Sequence, residues 1–232
     1  MTDWNAWLEE YQAMALGLFG ERVRFLGLQG SRARGEAGPD SDIDVVLVLD
    51  RLEPEDLERY RRGLGGLPDR ALVCGFCSGA EELRNWDRGD RFQFWYDTVP
   101  LLGRLEDLFP APDRADARRA ALAGACALYH LCVHNSLHGR DPKVLRQAGK
   151  SARFALQAAH FACTGVYLRR REDLDAGLAG EDTALWAALR AEGDPDGLAA
   201  ALLRWCGGIL RTFGPSQQII TTGRAGGLHR PP

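Results

Sequence analysis

The chain has 232 residues, of which 45% are hydrophobic and 26% are charged, and this composition is typical of a globular protein. It excludes collagen-like, coiled-coil and wholly disordered chains. The formal net charge of -3 argues against a protein that binds nucleic acid through bulk charge. The charge is divided unequally, because residues 1–110 carry 13 Arg and 21 Asp or Glu, a net charge of -8, whereas residues 111–232 carry 16 Lys or Arg and 11 Asp or Glu, a net charge of +5.

The sequence predicts a cytoplasmic protein with reduced cysteines. It contains no run of 18 apolar residues that could span a membrane, and its start lacks the basic and apolar regions of a secretory signal. Of the six cysteines, Cys74 and Cys77 form the one close pair. They lie in an apolar run without a second pair at zinc-binding spacing, so we expect buried structural thiols.

The first half of the chain alternates helical, strand and turn patterns. Apolar spacing predicts a helix from Trp4 to Leu18 that ends at Gly20. The elements expected after it are a strand over 22–29, a turn-rich segment over 30–41, a buried strand over 42–50, a helix over 54–64, a strand over 70–77, a short helix around 81–86 and a strand over 92–102.

The second half is alanine-rich and helical in its spacing. Helices are predicted over 113–137, 141–171, 181–190 and 196–213, and short polar links between them favour a bundle. The predicted fold class is therefore α+β, with a small mixed β-sheet domain over 1–110 and an all-α helical bundle over 111–214. Residues 215–232 lack periodicity and are predicted to form a loose tail.

The segment from Gly30 to Asp44 carries the chemistry. Gly30 and Ser31 end a predicted strand, and a glycine at such a turn lets the backbone approach a ligand closely. Free N–H groups at this turn, the Ser31 hydroxyl and the guanidinium of Arg32 or Arg34 would suit a phosphate group.

Two carboxylates follow this turn. Asp42 and Asp44 stand two residues apart at the start of the next strand, so they share one face. Such close carboxylates repel each other unless a cation lies between them, and hard oxygen ligands suit Mg²⁺. A phosphate-binding turn beside a magnesium site indicates phosphoryl or nucleotidyl transfer.

The pattern G-S-x10-D-x-D resembles the signature of the nucleotidyltransferases of the DNA polymerase β superfamily. The version in this chain, GSRARGEAGPDSDID, is similar to that of small bacterial nucleotidyltransferases, which include antibiotic-modifying enzymes and minimal antitoxin-type members. The resemblance implies that Gly30 and Ser31 contact the nucleotide phosphates and that Asp42 and Asp44 bind Mg²⁺. Arg32 and Ser41 of the same segment are also predicted to bind the nucleotide.

The family pattern also implies a third carboxylate on a neighbouring strand, as metal ligand or general base. Our candidate is Asp97, which strand alternation would place on one face with Gln93 and Trp95. A turn-capping role for Asp97 stays open, and Glu81, Glu82 and Glu106 are weaker alternatives.

The helical half offers further candidates. Lys150 is one of only two lysines in the chain, and in the antibiotic-modifying relatives a lysine of the helical domain often meets the triphosphate. An ordinary solvated lysine is the alternative. His130, His134 and His138 recur at every fourth residue. We expect this stripe to line the domain interface or the acceptor pocket, with a transition-metal site as the alternative.

The sequence thus predicts a Mg²⁺-dependent enzyme that moves a nucleoside monophosphate, AMP from ATP or its counterpart from another nucleoside triphosphate, onto an acceptor hydroxyl and releases pyrophosphate. The expected acceptor is a small hydroxylated molecule such as an aminoglycoside or lincosamide antibiotic, which would make the protein a bacterial resistance factor. Asp97 would deprotonate the acceptor, and the helical bundle would help to form the acceptor pocket. No membrane or nucleic-acid polymer is an expected partner, and a homodimer is left open.

Two alternatives remain. Arg153 and His160 form an R-x6-H pattern that resembles the RNase motif of HEPN domains, so the chain could be a toxin–antitoxin-type fusion that acts on protein or binds RNA. The second alternative is a catalytically silent nucleotide-binding module.

Overall fold

The computed structural model describes residues 4–191 and 193–215. Its sheet has four strands in the order β3-β2-β1-β4, with β1 antiparallel to β2 and β4, and β2 parallel to β3. The strands are β1 Val23–Gln29, β2 Ile43–Leu49, β3 Val73–Gly79 and β4 Val99–Leu102. The predicted mixed sheet is confirmed, and β2 is buried on both faces as its apolar run predicts.

Helices cover both faces of this sheet. On one face, Leu26 and Leu47 pack with Trp7, Tyr11 and Tyr60. On the other face, the core includes Phe25, Val46, Val48 and Phe94. The helices of this half are α1 Trp4–Phe19, α2 Gly30–Arg34, α3 Pro54–Leu64, α4 Ala80–Arg84 and α5 Arg88–Asp97.

The predicted strand over 92–102 is wrong for most of its length, because residues up to Asp97 belong to α5. Phe92 and Phe94 would share one face of a strand. In a helix they lie on nearly opposite faces, and each enters a different core: Phe94 joins the sheet and Phe92 joins the helical half. Packing against a core on each side of this segment therefore favours a helix, although the alternating aromatic residues are typical of a strand.

The second half is all helical in the part that the structure describes. Its helices are α6 Arg114–His134, α7 Pro142–Thr164, α8 Arg171–Gly177, α9 Glu181–Arg190 and α10 Pro195–Phe213, with a π-helical turn Asn135–Gly139 after α6. The predicted start of α7 at Asp141 is confirmed, since its carboxylate accepts a hydrogen bond from the Lys143 N–H. The predicted continuation to residue 171 is wrong, because Gly165 adopts a left-handed conformation and ends α7.

An aromatic cluster joins the two halves. Phe92 and Tyr96 of α5 pack against Phe161 of α7, with ring centroids 5.1 and 4.8 Å from it, and Tyr96 stacks on Tyr167 at 4.8 Å. Large rings that interlock in this way bury much apolar surface and hold the halves in one arrangement.

Two side-chain predictions need correction. Cys74 is exposed rather than buried, while Cys77 is half-buried; all six cysteines are free thiols. His130, His134 and His138 are exposed and do not line the cavity between the halves. The predicted tail over 215–232 lies, apart from Pro215, outside the described residues.

Within residues 4–191 and 193–215, no helix is long and apolar enough to cross a membrane.

Candidate active site

The site is built around Gly30, at the junction of β1 and α2. This residue has φ +70°, and a Cβ added to it would lie 1.8 Å from Oδ2 of Asp44. Asp44 is paired in register with Gln29, immediately before the glycine. Glycine is therefore required here both by the backbone conformation and by the closeness of the Asp44 carboxylate.

Asp42 and Asp44 line a cavity of about 970 Å³ between the two halves of the chain. Asp42 is exposed and directly precedes β2, whereas Asp44 is half-buried within it. Neither carboxylate forms an ion pair with the described residues. Two unpaired carboxylates with hard oxygen donors fit Mg²⁺, which completes its coordination with water and substrate phosphates. Within the described residues, no group of three or more His, Cys, Asp or Glu could hold a metal ion; Asp42 and Asp44 would supply two ligands.

Arg32 holds the segment that leads to the aspartates. Its guanidinium donates to the backbone oxygens of Ser41, at 2.9 Å, and Asp42, at 3.2 Å, and lies over the Trp4 ring at 4.9 Å. Arg32 is not among the residues that line the cavity, whereas Gly30, Ser31 and Ser41 are. The guanidinium of Arg32 thus braces the loop, and its contact with a nucleotide stays a prediction.

Asp97 lies behind the site rather than in it. Its Oδ1 accepts a 2.7 Å hydrogen bond from Nη1 of Arg34, and its Oδ2 accepts a 3.4 Å bond from the Gly30 N–H. Burial raises the pKa of Asp97, and the positive charge of Arg34 opposes this rise. Its oxygens accept from Arg34 and Gly30 and it does not line the cavity, so a role of Asp97 as metal ligand or base stays a prediction. The weaker candidates Glu81, Glu82 and Glu106 do not line the cavity either.

Glu36 connects the two halves. Its carboxylate accepts hydrogen bonds from Arg34 Nε at 3.0 Å, from Arg153 at 3.1 and 3.3 Å, and from the backbone N–H of Arg171 at 2.6 Å. Burial alone would raise its pKa, but the bonds from Arg153, Arg171 and Arg34 outweigh burial and lower the pKa to about 2. Glu36 was missed in the sequence because its partners lie 117 and 135 residues away.

The helical half supplies a cationic wall of the cavity that Asp42 and Asp44 also line. The cationic residues of this half that line the cavity are Arg146, Lys150, Arg153, Arg171 and Arg190. Arg153 pairs with Glu36 and Arg190 with Asp175. Arg146, Lys150 and Arg171 form no ion pair within the described residues. The structure thus brings the predicted Lys150 to the same cavity as Gly30, Ser31, Asp42 and Asp44.

Comparison with known proteins shows which family the first half of the chain resembles. Residues 17–93 match the family of the nucleotidyltransferase domain. This part of the chain is a nucleotidyltransferase domain. The resemblance that the Gly-Ser and Asp-x-Asp motif indicates is therefore confirmed, and the nucleotidyltransferase domain contains all the motif residues from Gly30 to Asp44.

A similarity in fold to a known structure extends beyond this domain. The crystal structure of a spectinomycin adenyltransferase from Enterococcus faecialis, with ATP and spectinomycin, is similar with a TM-score of 0.57 at 12% identity, over 89% of this chain and 98% of that one. This likeness shows a shared fold. A chain of a toxin–antitoxin structure with AMP-PNP reaches a TM-score of 0.35 at 18% identity, over 44% of this chain and 77% of that one, which is too low to carry an argument. No curated protein matched the sequence.

Proposed function

We propose that this nucleotidyltransferase moves AMP from ATP onto a hydroxyl group of a small molecule and releases pyrophosphate. The observation that carries the proposal is one cavity lined both by the carboxylates of Asp42 and Asp44 and by the cations Arg146, Lys150 and Arg171, none of which forms an ion pair within the described residues. A cavity with both a metal-binding side and a cationic side suits a metal-bound triphosphate.

Each lining group has a distinct role in this proposal. Asp42 and Asp44 hold Mg²⁺, which when bound neutralises charge on the phosphates. Gly30 brings its backbone close to the nucleotide, and Ser31 and Ser41 donate hydroxyl hydrogen bonds to phosphate oxygens. Lys150 binds the triphosphate from the helical half as a compact charge, supported by its neighbours on that wall.

The transfer step needs an acceptor oxygen in line with the α-phosphorus. The oxygen forms a bond to phosphorus while the bond to the bridging oxygen of the β-phosphate breaks, so pyrophosphate leaves and the hydroxyl proton passes to water. ATP as donor is supported by the adenyltransferase of similar fold, whose structure contains ATP. A cavity of about 970 Å³ has room for a nucleotide and part of a small acceptor, since ligand sites commonly span about 300–1,000 Å³.

Hydroxylated antibiotics, including aminoglycosides and lincosamides, are the acceptor class that we put forward, and transfer to them would confer resistance. Support comes from the shared fold with an enzyme named for spectinomycin. The toxin–antitoxin alternative has no comparable support, because Arg153 of its R-x6-H pattern is engaged by Glu36.

Asp42→Asn tests this function. Removing one metal ligand should lower the transfer rate about 1,000-fold, which corresponds to a loss of roughly 4 kcal/mol of transition-state stabilisation. The measurement is mass spectrometry of products, with pyrophosphate release, from ATP and a panel of hydroxylated antibiotics. Asp42 is exposed, so the melting temperature should hardly change.

Asp107→Asn is the matched control, because Asp107 is an exposed aspartate in the first half of the chain that does not line the cavity. It should retain most of the activity. Full activity of Asp42→Asn, or transfer of labelled AMP to protein instead of a small molecule, would contradict the proposal.

A further inference from the structure

The wall of the cavity contributed by the helical half has a marked apolar section. Phe154 of α7, Leu189 of α9 and Pro195 of α10 are half-buried and line the cavity. Leu145 and Leu198, which are buried, lie behind the same surface. This section lies on the helices, whereas the metal-binding aspartates lie on the nucleotidyltransferase domain.

Carboxylates are scarce on this wall. Among the described lining residues of the helical half, Asp194 is the single acid, and its Oδ1 accepts the Gly197 N–H at 2.8 Å as the N-cap of α10. A ligand with several ammonium groups is bound tightly only where carboxylates or aromatic faces meet its charges. Of the two aromatic rings on this wall, Trp186 already lies under the guanidinium groups of Arg153 and Arg190, at 5.9 and 5.8 Å, which leaves the single ring of Phe154 for a ligand.

The cations of the wall make a polycationic ligand still less suitable. The triphosphate of ATP remains anionic with Mg²⁺ bound, and Arg146, Lys150 and Arg171 match that charge. An acceptor with several positive charges would lie beside these side chains and the pair Arg153 and Arg190 without an anionic partner from the helices. An apolar surface, in contrast, pairs with the section formed by Phe154, Leu189 and Pro195.

We infer that the acceptor is an amphipathic hydroxylated molecule with no more than one positive charge, whose apolar part packs on the section formed by Phe154, Leu189 and Pro195. This inference rests on the proposed nucleotidyl transfer and narrows its acceptor class, because it favours lincosamide-like chemistry over aminoglycosides with several amines.

The experiment compares two acceptor sets with ATP labelled at the α-phosphorus. One set contains lincomycin and chloramphenicol, which carry hydroxyl groups with one amine or none. The other set contains kanamycin and streptomycin, which carry several basic groups. We expect label to enter at least one member of the first set at a rate about tenfold or more above any member of the second.

Leu189→Asp should lower transfer to the preferred acceptor about tenfold or more, mainly by raising its KM, while the affinity for a non-hydrolysable Mg·ATP analogue stays unchanged. Analogue binding also shows that the variant is folded. Leu137→Asp is the matched control, since Leu137 is 70% exposed on the same half and lies outside the cavity. It should match the unmodified protein.

Each contrary outcome is distinct. Equal or faster labelling of the polycationic set overturns the inference and leaves nucleotidyl transfer standing. Labelling of neither set by protein that binds the analogue in a Mg²⁺-dependent manner also overturns it. Loss of Mg²⁺-dependent analogue binding itself would instead contradict the proposed function.

Discussion

At the scale of single residues, Gly30 and Asp44 depend on each other. The carboxylate of Asp44 occupies the space that any side chain at position 30 would need, and the backbone there is left-handed. The motif spacing thus reflects close packing: the carboxylate of Asp44 can reach the turn because Gly30, which follows its strand partner Gln29, has no Cβ.

Gly30→Ala should therefore displace the Asp44 carboxylate as well as strain the backbone. We expect Mg²⁺-dependent nucleotide binding to weaken about 100-fold or more and the free energy of unfolding to fall by about 1–3 kcal/mol. Isothermal titration with a Mg·ATP analogue and urea denaturation measure the two effects.

Gly35→Ala is the control that distinguishes backbone strain from a steric clash with the Asp44 carboxylate. Gly35 has nearly the same backbone angle, φ +72°, but nothing lies within 4 Å of an added Cβ. This variant should lose about 1 kcal/mol of stability and still bind the nucleotide analogue. If the two variants lose affinity equally, the contact with Asp44 is not the cause.

At the scale of elements, α5 shows where sequence patterns fail. Alternating aromatic residues predict a strand, whereas the structure has a helix with Phe92 and Phe94 on opposite faces. The helix also changes the surroundings of Asp97, because a strand would have put it on one face with Gln93 and Trp95, whereas the end of the helix places its carboxylate against Arg34. The alternation of aromatic residues in the sequence does not show that α5 packs against two separate cores, one on each side.

Because Phe92 and Phe94 of α5 enter different cores, we expect their substitution to loosen different parts of the protein. Phe92→Ala and Phe94→Ala should each destabilise the protein by about 3–5 kcal/mol, because both rings are buried. Hydrogen exchange should accelerate first in α6 and α7 for Phe92→Ala, and in β1 and β2 for Phe94→Ala. Gln93→Ala, at an exposed position between them, should change the stability by less than about 0.5 kcal/mol. Identical exchange patterns for the two phenylalanine variants would argue against two cores.

Sequence reasoning performed best on the nucleotidyltransferase motif. Gly30, Ser31, Asp42 and Asp44 lie within 15 residues, and the strand pair β1–β2 brings them together locally. Lys150 was found through the family resemblance and lies in the same cavity. Glu36 and the cations Arg146 and Arg171 could not be found in this way, since their proximity depends on how the helical half docks on the sheet.

At the scale of the whole molecule, the carboxylate of Glu36 ties the nucleotidyltransferase domain to α7 and α8. Its pKa of about 2 lies below the ordinary value of 4.5, so its ionised form stabilises the folded protein. That contribution is fully present above pH 4.5 and is lost as the pH falls towards 2.

Glu36→Gln should therefore lower the free energy of unfolding at pH 7 by about 2 kcal/mol, once solvent screening is allowed for. The difference from the unmodified protein should shrink between pH 4.5 and pH 2, where Glu36 itself becomes protonated. Urea denaturation over this pH range measures it. Glu58→Gln is the control, because Glu58 pairs only with exposed arginines on the surface of α3, and its effect should be small. A difference that stays constant with pH would exclude Glu36 as its source.

The contacts of Glu36 also limit which helical halves can be joined to this nucleotidyltransferase domain by recombination. Glu36 belongs to the same loop as the catalytic motif, yet two of its partners, Arg153 and the first N–H of α8, belong to the other half. A helical half from another protein that lacks an arginine at the position of Arg153 would leave the Glu36 carboxylate without this partner. We therefore expect functional recombinants to take residues 30–36, α7 and the start of α8 from the same parent, although these segments are far apart in the sequence.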